Sequence, residues 1–447
     1  MKIGFYMPVF NAQEYIKEAL PAVFAQSLKI SEFVAIDDAS TDNTAEILKE
    51  YKMPSLVNQR NLGIAACRNA AVKHLKTEFI ASLDADCLPD KDWLKNLMRR
   101  FDSPKIAGVG GKLIEKNQTT AFDRWRATHM RQFWQDKKQK PKFLFGSNTV
   151  FRRDALIDAG LYNEVFKLNY EDVDICRRLR EKGYAFIYEP GAVVYHLKKD
   201  NIFSLLNSYW EWHRVYYEEK GFYSDQKNFI LKIKDTIGLA NRYLRQDFAA
   251  GRHELLFIDF ILSLQHTLKD WEYYVARKSQ IGFAPHTKAH IWLSLFDITF
   301  CSRIYSGTPG LPTLLPAGNA FMQNYFAMLF IINKGLQDNF KSAAFKKAVF
   351  RHLLQAVYNL DCEELDNILL IMNEKDKKWE ETLLKKHAHL DAEFLKEVFK
   401  YFNAWLTDLH CNKKELLKSV MDSAEQIDTE RLKGEKSDEA KKLNADN

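Results

Sequence analysis

Two aspartates, Asp84 and Asp86, flank Ala85 at the end of the short apolar run Phe79-Ile80-Ala81-Ser82-Leu83. A run of this kind predicts a buried strand, and in an extended strand residues i and i+2 point to the same side. The two carboxylates are therefore expected to leave the strand end side by side. Like charges held together are costly unless a cation or hydrogen-bond donors compensate them. Hard divalent cations such as Mg²⁺ or Mn²⁺ take oxygen ligands, commonly one or two carboxylates plus substrate phosphates. The chemistry open to such a pair is metal-assisted work on a phosphate ester or nucleotide-linked sugar. Asp-x-Asp is short, and a solvated turn is the plain alternative.

The elements around the pair decide between these readings. Residues 3–9 predict a buried strand, and Asn11 with Glu14 has capping-box spacing for a helix running to about residue 26. Phe33-Val34-Ala35-Ile36 predicts a second strand, which runs into Asp37-Asp38 and a helix over about 44–51. A weak strand at 55–57, a turn at Asn61-Leu62-Gly63 and a helix over 64–75 carrying Arg68 and Asn69 lead to the strand before Asp84. A helix from Asp90 or Asp92, a Gly-rich strand over 106–113 and a helix over about 120–137 follow. Residues 143–151 predict a strand containing Gly146-Ser147-Asn148, and Gly within a strand often marks close approach of a ligand or a bulge. Glu171 and Asp172 open a helix to about Lys182; acidic residues suit a helix N-terminus, which is the ordinary explanation for them. Strands at 184–188 and 192–195, the second ending in His196, precede an aromatic-rich helix over 201–220 with Trp210 and Arg214. Alternating strands and helices predict an α/β domain with a mostly parallel sheet, and in open sheets of this type ligands bind beyond the carboxyl ends of the strands. Asp37/Asp38 and Asp84/Asp86 both fall there, from two different strands.

Composition sets outer bounds. The 447 residues suffice for two or three domains, and 46% hydrophobic with 13% aromatic content fits packed cores. A net charge of +6 over this length favours anionic ligands or a membrane surface without supplying the basic stripe that nucleic acid needs. Six cysteines, none in C-x-x-C spacing, argue against zinc fingers and disulfide frameworks and for a cytoplasmic setting. No signal peptide or transmembrane run is predicted; peripheral attachment at the inner face of the membrane and homo-oligomerisation stay open. Gly108, Gly110 and Gly111 do not complete a dinucleotide fingerprint, because Leu113 stands where the third Gly belongs. From residue 223 to about 427 only helical periodicity is found, with a proline-rich break at 305–318, so an all-α domain is expected there. Residues 428–447 are charged and expected to be disordered.

Residues 1–222 resemble a family 2 glycosyltransferase with the GT-A fold. The resemblance rests on Pro8-Val9-Phe10-Asn11, Asp37 to Thr44, Asn61-Leu62-Gly63 with Arg68-Asn69, Asp84-Ala85-Asp86, Gly146-Ser147-Asn148 with Arg152-Arg153, Glu171-Asp172 and His196, in that order. It implies an inverting transfer of sugar from a nucleotide-diphospho-sugar, a UDP-sugar being favoured, to a glycan, lipid-linked or protein acceptor. Pro8, Val9, Asp37, Asp38, Arg68 and Asp84 would line the nucleotide sugar. Asp86 and His196 would hold Mn²⁺ or Mg²⁺, and Asp172 would be the general base. Gly146, Ser147, Asn148, Glu171, Trp210 and Arg214 would face the acceptor. Processive synthases of this family carry Q-x-x-R-W after the base; the nearest stretch here is Glu211-Trp212-His213-Arg214-Val215, which disfavours a processive role. A nucleotidyltransferase is disfavoured because no Gly-rich basic loop follows the first strand. The competing class is a nucleotide-sugar-binding or scaffolding protein with a vestigial transferase domain, binding partners through its helical half. If the helical half instead serves the enzyme, its expected task is acceptor selection.

Overall fold

The strands of the first half are apolar on both faces, and that fixes where they lie. In the computed structural model, which describes residues 2–279 apart from 135 and 138, the chain divides into units Met1–Lys220 and Gly221–Asn447. In the first unit β1 (Ile3–Val9) lies parallel between β2 (Glu32–Asp37) and β4 (Phe79–Leu83), with β3 (Ser55–Val57) parallel on the outer side of β2. β7 (Asn148–Arg152) enters antiparallel to β4, β6 (Ile106–Glu115) antiparallel to β7, and β8 (Ala185–His196) parallel to β6. The short β5 (Cys87–Pro89) closes the far edge antiparallel to β8, giving the order β3-β2-β1-β4-β7-β6-β8-β5. The parallel pairs lie mainly on the β1 side, and β7 makes the sheet mixed.

Alternation along the strands feeds two cores. Phe5, Met7, Val9, Phe79, Ala81 and Leu83 pack on one face with Ile16, Leu20, Trp93 and Leu97, from α1 (Ile16–Phe24) and α4 (Trp93–Met98). Tyr6, Val34, Ile36 and Ile80 pack on the other with residues of α3 (Ile64–His74), α6 (Arg153–Asp158) and α7 (Glu171–Glu181). Burial on both faces is why these strands read as continuous apolar runs. α2 (Thr44–Glu50), α5 (Ala121–His129) and α8 (Ile202–Glu219) complete the unit.

Several local expectations change. Asn11 does not cap α1: it takes a left-handed conformation (φ 49°) and its Oδ1 accepts the Thr41 N–H at 2.8 Å. Ala12 N–H donates to Thr44 Oγ1 at 2.8 Å, so residues 11–13 clamp the loop after β2 and the helix starts only at Ile16. α5 stops at His129, and residues 143–147 precede the strand rather than forming its first half. The two strands expected at 184–195 are one, running through Pro190-Gly191 with a register shift against β6 between Gly111 and Lys112. The β6 glycines are packing residues: a Cβ at Gly108 would lie 2.5 Å from the Phe151 ring, and one at Gly111 2.2 Å from the Ala192 carbonyl oxygen.

The second unit is described as far as residue 279. α9 (Gln226–Ala249) and α10 (Leu256–Ser279) pack together, joined by a 3₁₀ turn at His253–Leu255. Buried Asp270 on α10 accepts from Lys232 Nζ at 2.8 Å and Thr236 Oγ1 at 3.1 Å, both on α9, and from Tyr223 Oη at 2.6 Å. The helices, proline-rich loop and charged tail expected beyond residue 279 lie outside the described residues. Among the described residues no helix is long and apolar enough to cross a membrane.

Gly111→Ala drives a methyl group into backbone that cannot swing away. It is expected to destabilise the first unit by ~1–3 kcal/mol, the usual cost of overpacking, read as loss of hydrogen-exchange protection in β6 and β8 of the full chain.

Candidate active site

β4 ends at Leu83, and Asp84 to Cys87 form a turn closed by the Cys87 N–H donating to the Asp84 carbonyl at 3.1 Å. The two carboxylates are therefore not presented side by side from an extended strand. They leave the turn toward different partners, Asp84 toward Arg68 and Asp86 toward His196.

Arg68, on α3, is buried at 2% exposure and hydrogen-bonded on every nitrogen. Its Nε donates to Glu171 Oε1 at 3.1 Å, Nη1 to Tyr6 Oη at 3.2 Å and Ser82 Oγ at 2.9 Å, and Nη2 to Asp84 Oδ1 at 3.3 Å. Tyr6 and Ser82 are register partners on β1 and β4, so one guanidinium spans two strands, α3 and α7. Burial disfavours its charge, but Tyr6, Asp84 and Glu171 around it hold it firmly cationic. Burial and the neighbouring Asp172 push the Glu171 carboxyl up to about 7 against the pull of Arg68. Three carboxyl groups around one fixed cation make a proton held among them reasonable.

Asp172 follows at the start of α7, where Tyr170 takes a left-handed φ of 73° to turn the chain into the helix. Its Oδ2 accepts the Gly146 N–H at 2.9 Å and its Oδ1 the Val173 N–H at 2.7 Å. Burial raises its pKa while those N–H groups and Arg68 oppose the rise. Each oxygen keeps a lone pair to accept a further proton. The close approach needs glycine at 146, since a Cβ there would come within 2.6 Å of Arg68 Nη2 and 3.3 Å of Glu171 Oε1.

On the other side of the turn, His196 ends β8 with Cys87 as its register partner on β5, which brings its Nε2 to 3.1 Å from Asp86 Oδ2. Its Nδ1 lies 2.8 Å from Oε2 of Glu115. Burial disfavours a charged imidazole, but Asp86 and Glu115 outweigh it and raise His196 to about 9. Burial would likewise raise Asp86, yet the imidazole beside it holds its carboxyl well below the usual range. A carboxylate oxygen and an imidazole nitrogen converging on one point, with Asp86 still 24% exposed, fit a borderline-hard cation such as Mn²⁺ completed by phosphate oxygens.

The remaining expected residues occupy definite places. Asp37 and Asp38 are buried at the end of β2. Asp37 Oδ1 accepts the Ser40 N–H at 2.9 Å. Asp38 accepts from Asn58 Nδ2 at 2.7 Å and from the Leu62 and Gly63 N–H groups at 2.9 and 2.8 Å, so it shapes the turn at 58–63. Pro8 and Val9 are buried at the end of β1. Ser147 Oγ donates to Gln132 at 2.6 Å, and Asn148 Oδ1 accepts from Trp93 Nε1 at 2.6 Å, which ties both to the scaffold. Trp210 is buried on α8 under the Arg214 guanidinium, itself paired with Glu211 and Glu218 of the same helix. The contacts thus link Asp84, Arg68, Glu171, Asp172 and Gly146 into one cluster and Asp86 with His196 into a second, joined by the turn. Tyr6, Ser82 and Glu115 were not anticipated. Tyr6 and Ser82 could be sought as polar residues inside otherwise apolar strands, whereas Glu115 looks like any charged strand end.

This mixed sheet flanked by helices, with carboxylates gathered where the parallel strands end, is consistent with the GT-A fold expected from the sequence. Residues 5–160 match the model of glycosyl transferase family 2. The poly-beta-1,6-N-acetyl-D-glucosamine synthase of Staphylococcus aureus (strain COL) is 24% identical over 260 residues, covering 54% of this chain and 63% of that protein. The Staphylococcus epidermidis protein of the same name is 25% identical over 221 residues, covering 47% and 53%. The chain therefore spans only part of the length of these relatives. Among solved structures, S. aureus TarS 1-349 has 17% identity over 75% of this chain and 92% of that one, at a TM-score of 0.37. The mannosyltransferase PcManGT from Pyrobaculum calidifontis, in complex with GDP-Man and Mn²⁺, has 15% identity over 76% and 88%, at 0.36. Those two likenesses are too remote to bear on the site.

Gly146→Ala should displace Arg68 or Glu171 and loosen the hold on Asp172. A fall of at least tenfold in sugar transfer with a change of only a few degrees in Tm is expected, in keeping with the rate cost of ~1 Å misplacement. Glu171 supplies a signed pH effect. A carboxyl raised from 4.5 to about 7 on folding contributes stability that is whole below about pH 4.5 and is lost as the pH rises to about 7. Relative to wild type, Glu171→Gln should therefore gain in Tm between pH 5 and pH 8, as measured by calorimetry across that range.

Proposed function

We propose that this chain is a metal-dependent, inverting glycosyltransferase that moves a sugar from a nucleotide-diphospho-sugar to a hydroxyl of an acceptor. The observation that carries the reading is the division of labour among the carboxylates. Asp172 is fixed by two backbone N–H groups, while Asp86 is paired with His196 at the opposite end of the turn. A base on one side and a leaving-group site on the other is what an in-line displacement requires.

In this mechanism the nucleotide enters beyond the ends of β1, β2 and β4. Asp38 holds the turn at 58–63 that borders it, and Arg68 holds Asp84 in place from below. Asp86 and His196 would bind Mn²⁺ or Mg²⁺, which when present stabilises the charge developing on the departing diphosphate. Asp172 accepts the proton of the acceptor hydroxyl as its oxygen forms the new bond to the anomeric carbon. The bond from that carbon to the diphosphate oxygen breaks on the opposite face, so the anomeric configuration inverts. Burial raises Asp172's basicity for this step, and the Gly146 N–H keeps the carboxylate from turning away. A UDP-sugar is the favoured donor.

Asp86→Ala and Asp172→Asn should each leave the fold intact and lower transfer by at least ~10²-fold, the scale set by general-base and charge-stabilising groups. Normal turnover in either variant would sink the mechanism. A thermal-shift panel of nucleoside diphosphates should show stabilisation that grows when Mn²⁺ is added, because ligands of the native state raise its stability by mass action.

A further inference from the structure

We propose that Glu115 is a positioning residue that sets His196 for cation binding: it holds the Nδ1–H of the imidazole so that the Nε2 lone pair is presented beside Asp86. The inference rests on the reading that Asp86 and His196 hold the metal. It starts from strand register. β8 lies between β6 and β5, and His196 is the register partner of Glu115 on one side and of Cys87 on the other. The Lys116 N–H donates to the His196 carbonyl at 3.0 Å, and the Leu197 N–H to the Asp86 carbonyl at 2.8 Å, so the backbone on both sides is locked. The ring is thereby threaded between two carboxylates, Glu115 Oε2 at 2.8 Å from Nδ1 and Asp86 Oδ2 at 3.1 Å from Nε2.

The two carboxylates differ in setting. Glu115 is 8% exposed and behind the ring, whereas Asp86 sits on the turn and retains access to solvent. A neutral imidazole has one N–H, and an ionised carboxylate can only accept. When a cation takes the place of the Nε2 proton beside Asp86, the ring's remaining N–H is Nδ1, 2.8 Å from Glu115 Oε2, and that contact fixes which nitrogen faces the cation. Ligating histidines are held by such a carboxylate in many metal sites, and loss of the outer partner typically costs 10- to 100-fold in metal affinity. Glu115 Oε1 is buried and has no hydrogen-bond partner among the described residues, so structural hydrogen bonding uses only half of this carboxylate. That is a costly group to keep for packing alone.

The test is Mn²⁺ binding to the full chain without any sugar nucleotide, followed by the EPR signal of free Mn²⁺, for wild type, Glu115→Gln, Glu115→Ala and Asp86→Asn. Glu115→Ala is expected to weaken binding by about 10- to 100-fold. Glu115→Gln, whose carbonyl still accepts from Nδ1 without the charge, should fall between it and wild type. In transfer assays the two Glu115 variants should require more Mn²⁺ for half-maximal rate while approaching the wild-type rate at saturation, a split that a general folding defect would not give. Wild-type Mn²⁺ affinity in Glu115→Gln and Glu115→Ala, with binding lost in Asp86→Asn, overturns the role of Glu115 and leaves the metal site standing. Unchanged affinity in Asp86→Asn overturns the metal site itself, and the role of Glu115 with it. If Glu115→Ala does not fold, Glu115→Gln decides.

Discussion

The buried guanidinium of Arg68 is the constraint on which the rest of this site depends. Placing a full positive charge at 2% exposure is tolerable only if its nitrogens are answered, and Glu171, Asp84, Tyr6 and Ser82 accept from all three of them. Removing one partner of such a buried pair costs ~3–5 kcal/mol, since the remaining charge is stranded. The consequence is geometric. β1, β4, α3 and α7 must keep their relative positions for Arg68 to be satisfied, and those are the elements that carry or adjoin Asp84, Glu171 and Asp172. The pair also explains the glycine at 146, because a side chain there would compete with the guanidinium for the same space.

The Asp84-Ala85-Asp86 motif then takes on a different meaning from two equivalent acids. Two carboxylates so near in sequence repel each other unless each is compensated. The turn closed by the Cys87 N–H separates them, and each has its own cationic partner: Arg68 for Asp84, the imidazole of His196 for Asp86. One partner is permanent, since a guanidinium does not release its proton. The other can be exchanged, since an imidazole that gives up its Nε2 proton becomes a ligand instead. Asp84 is therefore suited to a fixed contact and Asp86 to one that can be exchanged.

Much of this was legible in the sequence because the informative residues punctuate local patterns. The strands ending at Val9, Asp37 and Leu83 are apolar runs that give way to polar residues or carboxylates, and the helices opened by Thr44, Ile64 and Glu171 begin beside polar or glycine signals. What escaped reading was settled by partners far away in the chain. Asn11 has the spacing of a helix cap, but Thr41 claims its side chain, and the helix waits until Ile16. The extended-strand argument for Asp84 and Asp86 failed because β4 ends one residue before the motif. Glu115 acquires its interest only from pairing opposite His196, which lies 81 residues on and is invisible to any local pattern.

The same distinction separates side chains that build the site from those left to act in it. Ser147 is bonded to Gln132, Asn148 to Trp93, and Asp38 to Asn58 and the 62–63 backbone. Motif residues of this kind hold loops at the strand ends, and their effect on a ligand passes through the backbone they position. Asp172 shows how that works, since the group that orients it is the N–H of Gly146, delivered by a segment anchored through Ser147 and Asn148. A fold that ties down polar residues in this way also fixes the orientation of Asp172 through backbone N–H groups. Preorganisation of that kind lets the groups act on developing charge without first rearranging.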